Sequence, residues 1–166
     1  SHIIHSHGKN EGIFTDTDFY KTPFMRNSEI SSYVTSQINA HKYNLIACNL
    51  ASPDMIGHLL PKRYNEALVA YESTANAINT MVSSALKKHF TVIITSDHGN
   101  IEENTPSHTS NDVLTTVITH LYVKNSTKSP YTINLFDIAP TIIELMRYKS
   151  NHIVGNFDNK QFIGKP

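Results

Sequence analysis

Two short apolar runs on either side of a long helical pattern limit the folds open to this chain. Asn44–Leu50 and Thr91–Thr95 are mostly apolar or β-branched, which is typical of strands that are buried on both faces. Between them, after Pro61, apolar residues recur at helical spacing: Tyr64, Leu68, Tyr71, Ala75, Ile78, Val82 and Ala85. This order of strand, helix and strand predicts parallel strands joined by a crossover helix.

The rest of the chain continues the alternation of strands and helices. The other predicted elements are strands at 2–7 and Thr116–Val123, a helix opened by Ser28 and Glu29, a last helix capped by Asp137, and polar loops at 8–24 and 99–112. The pattern predicts an α/β fold with a mostly parallel sheet flanked by helices, in a single domain over residues 1–166. In such sheets, functional groups gather at the carboxyl ends of the strands.

Composition narrows the class of protein further. The formal net charge is zero, so no basic field is present to attract nucleic acid or an anionic membrane, and neither partner is expected. No apolar stretch is long enough to cross a bilayer. Cys48 is the single cysteine, which excludes a disulfide framework and predicts a reducing, cytoplasmic location. Because it lies in an apolar run, Cys48 is interpreted as a small core residue.

Residues that commonly bind metals follow both apolar runs. Asp54 and His58 come after the first run, four residues apart, so one helical turn would bring them to the same side. Asp97 and His98 come after the second and would point in opposite directions on an extended backbone, toward two different ions. His108 lies in the loop beyond. Each residue alone is more often a cap or a solvated loop residue than a metal ligand. Together, carboxylates and imidazoles favour manganese or zinc over calcium.

Several motifs resemble, in the same order, those of cofactor-independent phosphoglycerate mutases. Ser52–His58 resembles the family's Asn-Pro-Asp-Met-Val-Gly-His signature, and Thr95–Asn100, with Glu102 following, resembles its Thr-Ala-Asp-His-Gly-Asn block. Three weaker matches support these two: Ser107-His108-Thr109, Leu135–Thr141, and Pro23 with Met25. The resemblance extends from about residue 2 to about residue 147.

The resemblance implies a two-metal site in an alkaline-phosphatase-like fold. Asp54, His58 and His108 would hold one ion, and Asp97 and His98 would hold the second. The family usually binds two manganese ions and interconverts 3- and 2-phosphoglycerate in glycolysis. In that family a serine takes up the phosphoryl group and returns it, and the metals lower the pKa of that serine.

The match to the family is partial. Nothing in the sequence matches the family's nucleophilic serine, the aspartate ligand of its N-terminal segment, or its inserted substrate-closing domain, so we expect a partial phosphatase domain and predict no catalytic residue. Leu59 and Leu60 stand in place of the family's Thr-Gly, and Leu114 in place of a proline. Three interpretations therefore remain. The chain is part of a mutase, a degenerate binding or regulatory domain, or a small metal-dependent phosphohydrolase that uses metal-bound water.

Partners follow from the first interpretation. If missing segments complete the site, the substrate is a phosphorylated three-carbon acid. An incomplete sheet would leave apolar edges exposed, which predicts a homodimer or pairing with a complementing N-terminal chain.

Overall fold

The computed structural model of the chain describes residues 19–119 and 132–146. Its α-helices are α1 (Asn27–Asn39), α2 (Ser52–Gly57), α3 (Tyr64–Lys87) and α4 (Ile138–Leu145), and its strands are β1 (Val92–Ile94) and β2 (Thr116–Ile118). Short 3₁₀ turns occur at Phe19–Lys21, Ile101–Glu103 and Leu135–Asp137. The helices predicted after Ser28 and after Pro61 are thereby confirmed as α1 and α3. The strand predicted at 2–7 and the end of the one predicted at Thr116–Val123 lie outside the described residues.

The sheet among the described residues has two strands, and they are antiparallel. Val92 pairs with Ile118, Ile93 with Val117, and Ile94 with Thr116. The predicted mostly parallel sheet is therefore not found in this part of the chain. That prediction depended on a strand at Asn44–Leu50 joined through α3 to β1, whereas β1 pairs here with the strand that follows it along the chain.

The run Asn44–Leu50 forms no strand and most of its side chains are exposed, so the prediction of a buried strand there is wrong. A strand requires a neighbouring ladder of backbone hydrogen bonds, and none of the described strands lies beside it. Ile46 and Leu50 pack against the core, whereas Leu45 is exposed. Cys48 is also exposed, with its Sγ 3.9 Å from Met81 Sδ, which corrects the interpretation of Cys48 as a core residue.

Two apolar clusters hold the helices together. One joins α2 and the start of α3 to the first 3₁₀ turn, through Phe19, Ile56, Leu60, Ala67 and Ala70. The other joins α1 to the end of α3, through Ile30, Val34, Ile38 and Ala85. Helix α3 thus serves both clusters, and α1 and α2 are placed relative to each other by their packing against it.

The buried face of α3 differs from the predicted one. Its buried residues are alanines, at positions 67, 70, 77 and 85. Tyr64, Leu68 and Tyr71, which the apolar pattern places on the packed face, are exposed. Ala85, the last residue of the predicted face, is buried as predicted. Earlier in the helix the alanines at 67, 70 and 77 take the buried positions, because small side chains allow close contact with α1 and α2.

Helix α4 begins where it was predicted to begin, directly after Asp137. The Asp137 side chain is buried, and its Oδ2 accepts a hydrogen bond from the Asn134 backbone N–H at 2.9 Å. It therefore stabilises the turn before α4 and makes no side-chain cap to α4 itself. Within residues 19–119 and 132–146, no helix combines the length and apolarity needed to span a bilayer.

Candidate metal centre

Helix α2 carries the first two predicted ligands. Asp54 lies in its first turn and His58 is the residue that ends it, so the two side chains project from the same side one turn apart. The distance from Asp54 Oδ1 to His58 Nε2 is 3.4 Å. Ser52 and Ile56 on the same helix are fully buried and fix its position. The predicted effect of the four-residue spacing is confirmed.

A backbone carbonyl fixes the orientation of the His58 ring. His58 Nδ1 lies 2.9 Å from the carbonyl oxygen of Pro106, a distance at which the ring N–H donates to that oxygen. The proton on Nδ1 leaves the Nε2 lone pair directed toward Asp54 and His108. A hydrogen bond from the second ring nitrogen to a carbonyl is the usual arrangement for a metal-binding histidine. Pro106 is far from His58 in sequence, and sequence reasoning did not find this contact.

His108 completes a compact set of ligand atoms. Its Nε2 lies 3.0 Å from His58 Nε2 and 3.1 Å from Asp54 Oδ1. We call these three atoms the ligand triangle. Two ligands that each bind one ion at about 2.1 Å stand roughly 3.0–3.4 Å apart. The edges of the ligand triangle, 3.0, 3.1 and 3.4 Å, fall in that range, so these side chains fit a single divalent ion.

His98 approaches the same centre from the end of β1. Its ring stacks on that of His108, with the centroids 3.6 Å apart. Single ligand atoms of Asp54, His98 and His108 all lie within 4.8 Å of one another. His58 belongs to the triangle because its Nε2 lies 3.0 Å from His108 Nε2 and 3.4 Å from Asp54 Oδ1. His98 therefore lies directly beside the ligand triangle, stacked on His108.

Asp97 is the most open of the five predicted ligands. Its side chain is 79% exposed against 25% for His98, and its Oδ1 lies 3.6 Å from His98 Nε2. The two side chains therefore approach each other, in contrast to the opposite directions expected from an extended backbone. Residue 97 follows β1, where the backbone has left the strand, so the alternation of a strand does not apply. Asp97 is therefore the solvent-exposed member of the predicted pair, and His98 is the partly buried one.

The loop that carries His98 is tied to the loop that carries His108. The Thr109 backbone N–H donates to the Gly99 carbonyl at 2.8 Å, an isolated antiparallel bridge. Glu102 accepts hydrogen bonds from the Asn100 backbone N–H and from the side chains of Thr109 and Asn111. The motif match includes Asn100, Glu102 and Thr109, but a sequence carries no signal for these contacts.

We expect the Glu102 carboxyl group to titrate far below the usual range. The Thr109 hydroxyl and the backbone N–H groups of Glu102 and Asn100 lower its pKa from the ordinary 4.5 to about 2. Because the folded pKa is depressed, its contribution to stability is present above pH 4.5 and is lost as the pH falls toward 2. Carboxyl-carbon NMR of Glu102 measures this pKa. In the matched Thr109→Val variant the pKa should rise, and an unchanged value there would contradict the assigned cause.

Comparison with known protein families matches residues 12–150 to the Metalloenzyme superfamily. This match covers most of the chain, and the chain therefore belongs to that superfamily, whose membership implies binding of divalent metal.

Curated relatives are more specific. The chain is 38% identical over 128 residues to a 2,3-bisphosphoglycerate-independent phosphoglycerate mutase of Clostridium kluyveri, covering 75% of this chain and 25% of that protein. Proteins of the same name from Clostridium botulinum and Yersinia pestis are 32% and 33% identical, covering 81% and 75% of this chain and 27% and 24% of the relatives. The resemblance predicted from the motifs is confirmed. The chain spans about a quarter of the length of these relatives.

Proposed function

We propose that this chain provides the metal site of a phosphoglycerate mutase-like phosphoryl-transfer enzyme. Asp54, His58 and His108 hold one divalent ion, and Asp97 and His98 contribute to a second. The observation that carries the proposal is the ligand triangle, in which three side chains from two separate segments place their ligand atoms 3.0–3.4 Å apart. Manganese is the proposed ion and zinc the alternative, because the donors are imidazole nitrogens and carboxylate oxygens.

The proposed substrate is a phosphorylated three-carbon acid, by analogy with the relatives named phosphoglycerate mutase. Divalent ions at this site would neutralise charge on the phosphoryl oxygens and lower the pKa of an attacking hydroxyl. Asp54 supplies the negative charge of the triangle, and the hydrogen bond of His58 Nδ1 to the Pro106 carbonyl orients the ring so that Nε2 is the nitrogen available to a metal. The motifs that resemble the family include no counterpart of its serine, so we propose no serine of this sequence as the phosphoryl acceptor.

The site is open enough for a substrate to reach. The side chains of Asp54, His58 and His108 are each more than a third exposed, although the helix that carries two of them is anchored in the core. This combination suits a catalytic metal site, which keeps a position free for substrate, better than a closed structural one.

Metal binding by the isolated chain tests the proposal. We expect the metal-stripped protein to bind Mn²⁺ in a calorimetric titration. We expect Asp54→Asn to weaken binding by at least about 100-fold, since it removes the charged ligand but keeps the shape. Asp112→Asn is the matched control, because Asp112 is an exposed aspartate in the segment that follows His108, and it should bind as the wild type does. Absence of Mn²⁺ and Zn²⁺ binding in the wild type would refute the proposed function.

A further inference from the structure

We propose that Asn100 and Glu102 are positioning residues that hold the ligands of the metal centre in place before an ion binds. The inference rests on the proposed function, because it concerns the same site. Asn100 and Glu102 bind no metal themselves. Their hydrogen bonds explain why ligands from three segments lie close together. These segments are helix α2, the turn 97–102 after β1, and the stretch 108–111.

Asn100 connects the turn after β1 to helix α2. Its side-chain Nδ2 donates to Asp54 Oδ1 at 2.7 Å, and the residue is only 8% exposed. This carboxylate oxygen is the one that faces both histidines of the ligand triangle. Because an ionised carboxylate oxygen has two lone pairs, it can accept from Asn100 and still offer a lone pair to a metal. Asn100 therefore fixes the rotation of the Asp54 carboxylate.

The Asn100 amide occupies a slot that depends on Gly57. A Cβ atom built at residue 57 would overlap the Asn100 side-chain amide. Rotating the amide by half a turn would place its oxygen against the Asp54 carboxylate, so the orientation with Nδ2 facing Asp54 is the favourable one. Because Gly57 has no side chain, the Asn100 amide can lie against the end of α2 and reach the Asp54 carboxylate.

Glu102 connects the same turn to the segment of His108. Its Oε2 accepts the Asn100 backbone N–H at 2.8 Å, and its Oε1 accepts the Thr109 hydroxyl and, at 3.2 Å, the Asn111 amide. The two oxygens of one carboxylate therefore bind two different segments. Charge-assisted hydrogen bonds of this kind are stronger than neutral ones. A Cβ atom at Gly99 would overlap both Glu102 and Thr109, so this close approach also depends on a glycine.

These contacts lie directly beside the ligands. His98 precedes Gly99, and His108 precedes Thr109, so the bridge between Gly99 and Thr109 brings the two imidazole rings into their 3.6 Å stack. Through Asn100, the same turn also holds Asp54. These hydrogen bonds join the three segments through protein groups alone, so we expect that ion binding does not have to order them. Preorganisation of this kind raises affinity by reducing the cost of ordering on binding.

The test measures Mn²⁺ affinity and the electron paramagnetic resonance spectrum of the bound ion in matched variants. We expect Glu102→Gln and Asn100→Ala each to weaken Mn²⁺ binding by about 10–100-fold, the range typical of groups that orient metal ligands. The spectrum should change as well, because the ligands are no longer held in one arrangement. Glu72→Gln, the same chemical change at an exposed site on α3, should alter neither quantity.

Thr109 provides a rescue pair in case Glu102→Gln fails to fold. Thr109→Val removes the hydroxyl at nearly constant shape and should weaken Mn²⁺ binding, whereas Thr109→Ser keeps the hydroxyl and should bind within about threefold of the wild type. A purely structural role would lower the melting temperature of the metal-free protein and leave the affinity of the folded fraction unchanged.

The possible results separate this inference from the proposed function. If the wild type binds Mn²⁺ and the Asn100, Glu102 and Thr109→Val variants bind it equally well, the inference is overturned and the metal site stands. If the wild type binds neither Mn²⁺ nor Zn²⁺, the inference is overturned together with the proposed function. Weakened binding in all three variants with rescue by Thr109→Ser supports it.

Discussion

Replacing Ile56 by alanine is expected to lower the free energy of unfolding by about 2–5 kcal/mol. Ile56 is 0% exposed and lies between Phe19, Leu60 and the alanines of α3. Alanine removes three buried carbon atoms and leaves a cavity that the surrounding helices cannot fully close. For a domain of ordinary stability, about 5–15 kcal/mol, this is a large share of the total. Urea unfolding followed by far-ultraviolet circular dichroism measures the change.

Two control variants show how the loss of stability depends on the volume removed and on the burial of the side chain. Ile56→Val keeps most of the volume and should cost about 0.5–1.5 kcal/mol. Leu68→Ala, at a position on α3 that is 53% exposed, should change the stability by no more than about 0.5 kcal/mol. If Ile56→Ala and Leu68→Ala unfold at the same urea concentration, the placement of α2 on this cluster is wrong.

Replacing Asn27 by alanine should lower the free energy of unfolding by about 2–3 kcal/mol. The buried hydroxyl groups beside Asn27 would lose the hydrogen bonds that its side-chain amide donates. Asn27 Nδ2 lies 2.8 Å from Ser52 Oγ, and Ser52 Oγ lies 3.0 Å from Thr74 Oγ1. The Thr74 hydroxyl donates to the Ala70 carbonyl. The hydroxyl of Ser52 must then donate to Thr74, and Ser52 must accept from Asn27. This chain of hydrogen bonds joins α1, α2 and α3.

The measurement is again urea unfolding, with Asn65→Ala as the control. Asn65 is exposed near the start of α3, and its replacement should change the stability by no more than about 0.5 kcal/mol. Asn27→Asp adds a second readout, because burial would raise the pKa of the introduced carboxyl group. Its stability should therefore fall as the pH rises above the ordinary aspartate value. A pH-independent loss would contradict the buried position of this side chain.

The helices could be predicted from the sequence because their signals are local. The periodicity of α1 at Ile30, Val34 and Ile38 matches the residues that the structure buries. The face of α3 could not be predicted, because alanine carries a weak hydrophobic signal and the large side chains of Tyr64 and Tyr71 dominate the pattern. Helix–helix contact favours small residues where backbones approach closely, and only the packed structure shows which face does so.

Whether Asn44–Leu50 forms a strand could not be predicted from the sequence, for a different reason. Apolar and β-branched residues indicate that a segment can be a strand, but pairing depends on a neighbour that the segment itself does not specify. In the described residues the run forms no strand, and Ile46 and Leu50 pack against the core.

For the candidate metal centre, residue types and spacing predicted the ligands, and the resemblance grouped them. Asp54 and His58 needed only helical geometry to meet. The contacts of His58 with Pro106, and of Asn100 with Asp54, join residues more than forty positions apart, so they require the fold. The positioning role of Glu102 could not be predicted from the sequence either, because its hydrogen-bond partners lie both before and after it in the chain.

The wide separation of Asp54 and His108 along the chain has a consequence for the protein in the cell. An unfolded chain does not hold these two ligands together, so an ion that binds the ligand triangle binds the folded form by preference. By mass action, free metal at 100 times its dissociation constant would then add about 2.7 kcal/mol to the stability. The abundance of folded protein would therefore follow the supply of metal ions, and scarcity would reduce the amount of the protein as well as the occupancy of its site.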